Sequence, residues 1–296
     1  MISPKICLGS AQFGLDYGIT NKTGKVEIEE IIKIIEIAQK ENISLIDTAQ
    51  GYGDCEYILG KCIKKPNNFK IISKFPSQNK NFFTEQDQIH WENNLNYSLN
   101  KLKVNQLEGL LLHNSNDLKK EGSQHLNNWL ISIKERELTK NIGLSIYTKN
   151  DLKGINLDFI NIVQLPLSIY DQRLINDGTI SLLKRNKCSI YARSIFLQGL
   201  ILTNSSKWPN WINRKNAAHQ KNLELLSKEK NASLLDLAVG FIKIQQEIDA
   251  AVIGITSLNE LKALLNSWRK ISLWHKSKPS SWAIHDSYFL DPRNWP

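Results

Sequence analysis

Short apolar segments alternate along the chain with longer segments of helical periodicity. Residues 5–9 form a short apolar run that ends in glycine, and residues 26–39 then carry apolar side chains at the spacing of a helix with one buried face. This succession of strand and helix recurs until residue 254. The predicted strands cover residues 5–9, 44–47, 70–74, 107–113, 141–145, 158–164, 189–193 and 250–254. The pattern indicates parallel strands joined by helices.

The helices between these strands should each bury one apolar face. In the helix over residues 85–102, Ile89, Leu95, Leu99 and Leu102 are the expected core positions. The other predicted helices cover residues 26–39, 54–63, 174–187, 213–228, 237–244 and 258–268, with one more around Trp129. No strand is followed by G-x-G-x-x-G, which favours an α/β fold of the (β/α)8 TIM barrel type over a doubly wound sheet. Residues 10–14 are expected to form a loop.

Composition is that of an ordinary globular protein, with 41% hydrophobic and 23% charged residues. We predict a single domain over residues 1–296, with residues 272–296 as an irregular extension rich in Trp, Ser and Pro.

The net charge of +9 is scattered rather than clustered, so we expect no nucleic-acid partner, although a positive field suits a phosphate-bearing ligand. The four cysteines show no metal-ligand spacing, and we predict no metal site. With no signal segment and no long apolar stretch, the chain is expected to be cytoplasmic, without a membrane partner.

Polar residues stand at or just after the predicted ends of three consecutive strands. Asp47 and Tyr52 follow the second strand, Lys74 the third and His113 the fourth. The carboxyl ends of neighbouring barrel strands converge, so these side chains should meet at one small ligand. Each residue alone also has a structural explanation, as a turn cap, a surface aromatic, a solvated lysine or a structural histidine.

Together the four residue types fit one reaction. A phenol has a pKa of about 10 when no charged group lies near it. A nearby ammonium such as that of Lys74 should lower this pKa and make Tyr52 a usable acid. Asp47 would pair with Lys74 and keep it charged, while His113 would donate to a substrate carbonyl. A Schiff-base lyase with a neutral Lys74 is an alternative.

On these residues the sequence resembles the aldo-keto reductase superfamily, and the resemblance runs from Lys5 to about Ser267. The segments that carry it are Ile46–Gly53 with Glu56 and Leu59–Gly60, Ile72–Lys74, Leu111–Asn114, Ile142–Ser145 and Val163–Gln164. It implies a TIM barrel with an Asp-Tyr-Lys-His tetrad. The implied activity is NADP(H)-dependent reduction of an aldehyde or ketone, including sugar-like ones, with Tyr52 as general acid.

The resemblance also implies a cofactor site. Ser145 and Gln164 would hold the nicotinamide carboxamide, and Arg193 would stack on the ring or reach the pyrophosphate. The turn before the last helix would meet the phosphate end of the cofactor. The full set of expected cofactor contacts is Gly9, Ser10, Asp47, Ser145, Gln164, Arg193, Gly254, Thr256, Ser257 and Glu260.

The sequence departs from the family pattern at several of these positions. Ile146 stands where many members have Asn, and Arg193 where many have Tyr. The segment R-S-x-F-L-Q-G over residues 193–199 resembles a bacterial subgroup often encoded beside surface-polysaccharide genes. Glu260 stands near the usual basic side chain for the 2′-phosphate, and it would equally close a capping box with Ser257. NAD(H) is therefore the alternative cofactor.

Two further alternatives remain open from the sequence. A nicotinamide-binding sensor or regulatory protein would keep the same barrel with weak or no catalysis. In the tail, Trp274, Trp282, His285, Tyr288 and Trp295 would either line the substrate pocket, as in resembling members, or bury a dimer contact, so that the chain is a monomer or a homodimer.

Overall fold

Eight parallel strands close into a barrel in the computed structural model, which describes residues 4–274 and 279–296. The strands follow one another in sequence order, and β1 pairs with both β2 and β8. They are β1 Lys5–Gly9, β2 Leu45–Asp47, β3 Lys70–Phe75, β4 Gly109–Leu112, β5 Ile142–Ser145, β6 Ile162–Pro166, β7 Ser189–Arg193 and β8 Ala250–Gly254. The predicted (β/α)8 TIM barrel is confirmed.

Helices surround the barrel and connect successive strands. Their bounds are α1 Ala11–Gly14, α2 Ile28–Lys40, α3 Cys55–Cys62, α4 Asp87–Leu102, α5 Ser123–Glu135, α6 Arg173–Asn176, α7 Thr179–Arg185, α8 Arg214–Glu229, α9 Leu234–Lys243, α10 Leu258–Arg269 and α11 Ser287–Leu290. One apolar core lies between strands and helices, and a smaller one fills the barrel interior. Within residues 4–274 and 279–296, no helix combines the length and apolar character needed to cross a membrane.

Several predicted elements differ from the observed ones. The expected loop over residues 10–14 contains α1, and the expected helix over residues 174–187 is two helices separated by Gly178, whose φ of 77° lies in the left-handed region. The sixth strand starts at residue 162 rather than 158, because residues 157–160 form a turn closed by a 3.0 Å bond from the Ile160 amide to the Leu157 carbonyl.

The buried face of α4 also differs from the prediction. Ile89 is 68% exposed, whereas Trp91 is 1% exposed and packs against Phe83 and Trp129 at ring distances of 5.3 and 5.7 Å. The buried face of α4 runs through Trp91 and Leu95, which are four residues apart, and it excludes Ile89. The prediction that Ile89 is a core position was therefore wrong. An indole buries more apolar area than isoleucine, which explains the choice of face.

The C-terminal extension packs against the outside of the barrel helices. Trp274 is buried, and its indole donates to the Leu237 carbonyl at 2.8 Å. Phe289 is buried beside Trp208, and the ring of Trp295 lies 5.3 Å from that of Trp211. Residues 275–278 of the predicted extension lie outside the described residues.

Gly14 allows α1 to contact the loop that carries Tyr52. A Cβ at residue 14 would lie 1.9 Å from the Tyr52 carbonyl oxygen and 2.7 Å from the Cys55 amide nitrogen. Because both atoms belong to the backbone, no side-chain rotation relieves the overlap. We expect Gly14→Ala to lower the free energy of unfolding by about 1–3 kcal/mol in denaturant titrations. Gly51→Ala is the matched control, since a Cβ there meets nothing within 4 Å; an equal loss in both variants would contradict the steric argument.

Candidate active site

The predicted tetrad comes together at the carboxyl end of the barrel. Asp47 ends β2, Lys74 is the penultimate residue of β3, and His113 directly follows β4. Tyr52 lies in the loop between β2 and α3. All four line one cavity of about 820 Å³ that opens at this end. Their convergence follows from the parallel barrel, which brings successive strand ends to one rim.

Lys74 and Asp47 form a buried ion pair. The Lys74 ammonium lies 2.7 Å from Asp47 Oδ1 and 2.6 Å from Oδ2, and it also donates to the Thr48 carbonyl at 3.1 Å. The two residues are 1% and 3% exposed. Burial lowers the pKa of Lys74, but the charge of Asp47 and the hydrogen bond to it outweigh this and raise the pKa above its ordinary value. Lys74 therefore stays charged at neutral pH, which disfavours a Schiff-base role.

Tyr52 lies over this pair and next to His113. The Lys74 ammonium is 5.1 Å from the centre of the Tyr52 ring, and the Tyr52 and His113 rings meet edge to face with centres 6.0 Å apart. Burial raises the pKa of Tyr52, and this exceeds the lowering by the charge of Lys74. The expectation of a lowered pKa was therefore wrong. Tyr52 is therefore neutral at neutral pH and keeps its hydroxyl proton.

His113 is held in the neutral form. Burial, with the charges of Lys74 and Arg193, lowers the pKa of His113 to about 4. A neutral imidazole carries one ring N–H, which can donate to a carbonyl oxygen. The geometry therefore places two neutral donors, a phenol and an imidazole, beside one buried cation.

The low pKa of His113 predicts a pH dependence of stability. The pKa is about 4 in the folded chain against an ordinary value of 6.5, so the unfolded chain binds a proton first as the pH falls. The contribution of neutral His113 to the free energy of unfolding is fully present above pH 6.5 and is lost as the pH falls towards 4. We expect His113→Asn to flatten the decline of the unfolding free energy across this range, measured by denaturant titrations at stepped pH. His90→Asn, at an exposed position of α4, is the control; an unchanged slope in His113→Asn would contradict the assignment.

Ser145 and Gln164 pair across β5 and β6 and both line the cavity. The side-chain amide of Gln164 donates to Asp47 Oδ1 at 2.7 Å, so it joins the network of the tetrad instead of standing free for a carboxamide. The Ser145 hydroxyl forms no hydrogen bond to another residue in the described part of the chain and faces the cavity. It is the more accessible of the two polar groups.

Arg193 stacks on a tyrosine that the sequence analysis missed. Its guanidinium lies 4.0 Å above the Tyr147 ring and donates to the Ile146 carbonyl at 3.1 Å. The guanidinium of Arg293, from the C-terminal extension, lies 3.6 Å from the centre of the same ring. Tyr147 lines the cavity two residues after the strand end at Ser145, and this position is the signal that could have identified it.

Two loops meet over the cavity. The hydroxyl of Thr20, in the loop after α1, donates to the Gln198 carbonyl at 3.0 Å, and the Ile19 amide donates to the Gln198 side chain at 3.0 Å. Tyr17 and Lys22 of the first loop line the cavity, as does Phe196 of the second. These loop residues were not predicted, because their sequence positions carry no pattern that indicates this contact.

The turn between β8 and α10 forms another part of the cavity wall. Gly254, Thr256 and Glu260 line the cavity, whereas Ser257 does not. The Ser257 hydroxyl accepts from the Glu260 amide at 3.2 Å, but the Glu260 carboxylate accepts from the Thr256 amide at 2.7 Å. A reciprocal capping box would need the Glu260 carboxylate to accept from the Ser257 amide. Since it accepts from the Thr256 amide instead, the predicted box is wrong by one residue.

Ser10 was expected to contact a cofactor, but its side chain is bonded within the protein. It is fully buried and donates to the Asp47 carbonyl at 2.7 Å. The Cys55 thiol lies 3.0 Å from the Ser10 hydroxyl, and burial raises the pKa of this thiol to about 11. Ser10 therefore supports the strand end that carries Asp47, and its hydroxyl proton is not available to a ligand.

The C-terminal aromatic residues do not reach the cavity within the described residues. Trp274, Trp282, Tyr288 and Trp295 are absent from its wall, and so is His285. The expectation that they line a substrate pocket is therefore wrong for these residues. The extension influences the cavity through Arg293, which contacts Tyr147.

The cavity fits an extended ligand that carries hydrogen-bond donors. Gly9 and Gly254 are register partners, and a Cβ on Gly254 would come within 2.7 Å of Gln12 Oε1. That oxygen is buried and has no hydrogen-bond partner among the described residues. A buried acceptor without a donor is costly, and a bound hydroxyl or amide would satisfy it. These features fit a dinucleotide.

Comparisons with known proteins agree with this geometry. The sequence profile described as the Aldo/keto reductase family matches residues 5–277. No curated protein sequence matches the chain.

The fold is similar to that of several solved aldo-keto reductases. The holo form of an aldo-keto reductase from Bacillus halodurans matches with a TM-score of 0.73 and 17% identity, over 92% of this chain and 89% of that one. A thermostable aldo-keto reductase bound to the inhibitor epalrestat matches with a TM-score of 0.67 and 19% identity, over 94% and 95%. The glycerol dehydrogenase from Gluconobacter oxydans matches with a TM-score of 0.65 and 19% identity, over 90% and 87%. The chain belongs to the aldo/keto reductase family and is an NAD(P)H-dependent oxidoreductase.

Proposed function

We propose that this protein reduces an aldehyde or ketone, including sugar-like carbonyl compounds, with Tyr52 as the proton donor. The observation that carries the proposal is the buried pair of Lys74 and Asp47 directly beside Tyr52 and His113 in one cavity. A carbonyl oxygen placed between the phenol and the imidazole would accept a hydrogen bond from each. The reduced nicotinamide supplies the hydride when bound.

Each residue of the tetrad then has a separate task. Tyr52 gives its proton to the carbonyl oxygen as negative charge develops there. The phenolate left behind is stabilised by the Lys74 ammonium, which burial makes more effective than it would be in water. Asp47 keeps Lys74 charged and fixes its position, and His113 orients the carbonyl through its ring N–H.

The cofactor is assigned to the same cavity. Ser145, Gln164 and Arg193 line the same cavity as the tetrad, which supports a role of the Ser145 hydroxyl in binding the carboxamide. Arg193 offers a planar cation for stacking or for a phosphate. The family resemblance alone favours NADP(H), whereas carboxylates at the start of α10 favour NAD(H).

We also propose that residues 1–296 form a single cytoplasmic domain. Support for one domain comes from the C-terminal extension, whose Phe289 and Leu290 are buried against the barrel helices. Support for a reducing compartment comes from the cysteines, which are unpaired and buried.

The proposal is tested by following the absorbance of NADH and of NADPH with a panel of aldehydes, keto sugars and quinones. Polyols with oxidised cofactor belong in the panel, because one structural relative is a glycerol dehydrogenase. Turnover that disappears in Tyr52→Phe would support the proposal. Dinucleotide binding without turnover across the whole panel would instead favour a sensor or regulatory protein.

A further inference from the structure

Two carboxylates occupy the backbone amides at the start of α10. The Leu258 amide donates to Glu30 Oε1 at 2.7 Å, and the Thr256 amide donates to Glu260 Oε2 at 2.7 Å. The Glu260 amide, two residues after Leu258, donates to the Ser257 hydroxyl. A helix N-terminus in this position is normally a ready anion site, but here the protein supplies its own anions.

This turn belongs to the same cavity as the tetrad. Thr256 and Glu260 line the cavity at the turn, while Tyr52 and His113 line it at the reaction centre. A dinucleotide whose nicotinamide lies beside Tyr52 must place its remaining parts along the other walls. In TIM barrels the loops after the seventh and eighth strands, with the following helix N-terminus, commonly hold the phosphate end of a ligand. The adenosine ribose is therefore assigned to the neighbourhood of Glu260.

The charges at this turn discriminate between the two cofactors. The hydrogen bond from the Leu258 amide is the main cause that lowers the pKa of Glu30, so this carboxylate is ionised at neutral pH. A 2′-phosphate would approach a carboxylate, and the amides of Thr256, Leu258 and Glu260 already have acceptors within the protein. Ribose hydroxyls, in contrast, can donate to the Glu260 carboxylate, as acidic residues do in other NAD sites.

The cations of the described cavity wall lie on other elements. They are Lys74, which is paired with Asp47, Arg193 at the end of β7, and Lys22 in the loop after α1. Lys33 lies 3.5 Å from Glu30, and neither residue belongs to the cavity wall, so Glu260 is the carboxylate of this turn that a ligand in the cavity would meet. The turn before α10 therefore presents the Glu260 carboxylate where a 2′-phosphate needs a cation.

We infer that Glu260 in the cavity wall, together with Glu30 on the Leu258 amide, makes this protein select NADH over NADPH, an inference that rests on the proposed function. Discrimination resides at the ribose rather than at the reacting ring, and it acts by repulsion of the 2′-phosphate as well as by hydrogen bonds to the ribose hydroxyls.

The test measures dissociation constants of NADH and NADPH for the purified full chain by titration of cofactor fluorescence, without a carbonyl substrate. We expect NADH to bind at least about tenfold more tightly than NADPH, the ratio that corresponds to about 1.4 kcal/mol. Glu260→Arg should tighten NADPH binding about tenfold or more, and Glu30→Gln should change the ratio in the same direction. Glu36→Arg, an exposed substitution on α2, is the charge-matched control and should leave the ratio unchanged.

The possible results separate this inference from the proposed function. Equal or tighter binding of NADPH by the unchanged protein, which would mean that Lys22 or another cation outweighs the carboxylates, overturns the inference and leaves the proposed function standing. A ratio that responds equally to Glu260→Arg and Glu36→Arg also overturns it. Binding of neither dinucleotide overturns the proposed function and the inference with it.

Discussion

Tyr52→Phe is expected to lower turnover by about 10²–10⁴-fold, the range that a positioned general acid contributes. The substitution removes one hydroxyl and keeps the ring that packs edge to face on His113 with centres 6.0 Å apart. Because phenylalanine cannot donate a proton, the developing oxyanion would lose its proton source. Dinucleotide binding should persist, since the cofactor contacts assigned to Ser145 and Arg193 are untouched.

The experiment compares initial rates and cofactor dissociation constants in the unchanged protein, Tyr52→Phe and Tyr57→Phe. Tyr57 is 57% exposed on α3 and does not line the cavity, so its substitution controls for the loss of a phenol outside the site. Retained turnover in Tyr52→Phe would defeat the assignment of the proton donor. Loss of turnover together with loss of cofactor binding would show a structural role for the hydroxyl instead.

The tetrad was predictable from sequence because each member is tied to a strand end. Asp47, Lys74 and His113 are fixed by the second, third and fourth strands of a parallel barrel, and the fold brings these strand ends together without further information. Tyr52 follows from its short distance in sequence to Asp47. The roles assigned to the four residues remain proposals, but their convergence in one cavity agrees with the prediction.

Other features of the site depend on contacts between distant parts of the chain. Thr20 and Gln198 meet over the cavity although 178 residues separate them. Glu30 reaches the Leu258 amide across 228 residues, and nothing in the α2 sequence indicates that contact. The direction of the shift in the Tyr52 pKa was mispredicted for a related reason. The sequence indicates a charged partner but not the degree of burial, and burial has the larger effect on this pKa.

Lys74→Met is expected to lower the free energy of unfolding by about 3–5 kcal/mol, because it leaves a buried carboxylate without its counter-ion. Lys74 and Asp47 are 1% and 3% exposed, so water cannot replace the lost partner. The Gln164 amide still donates to Asp47 at 2.7 Å, which places the expected loss toward the lower end of that range. Because the pKa of Lys74 is raised in the folded chain, the contribution of charged Lys74 to the free energy of unfolding is present at neutral pH. It is lost only as the pH rises past the ordinary pKa of 10.5 and through the higher pKa of the folded chain.

A double-mutant cycle separates the pair from its surroundings. Asp47→Asn removes the charge of the other partner, and the double variant Asp47→Asn with Lys74→Met removes both. We expect the double variant to lose clearly less stability than the sum of the single losses, because neither change then leaves an unpaired buried charge. Lys64→Met, which breaks an exposed 3.6 Å pair with Glu36, should have little effect in the same denaturant titrations. Additive losses of stability at Asp47 and Lys74 would mean that the two charges act independently. Asp47 would then not hold Lys74 in the position from which it stabilises the Tyr52 phenolate.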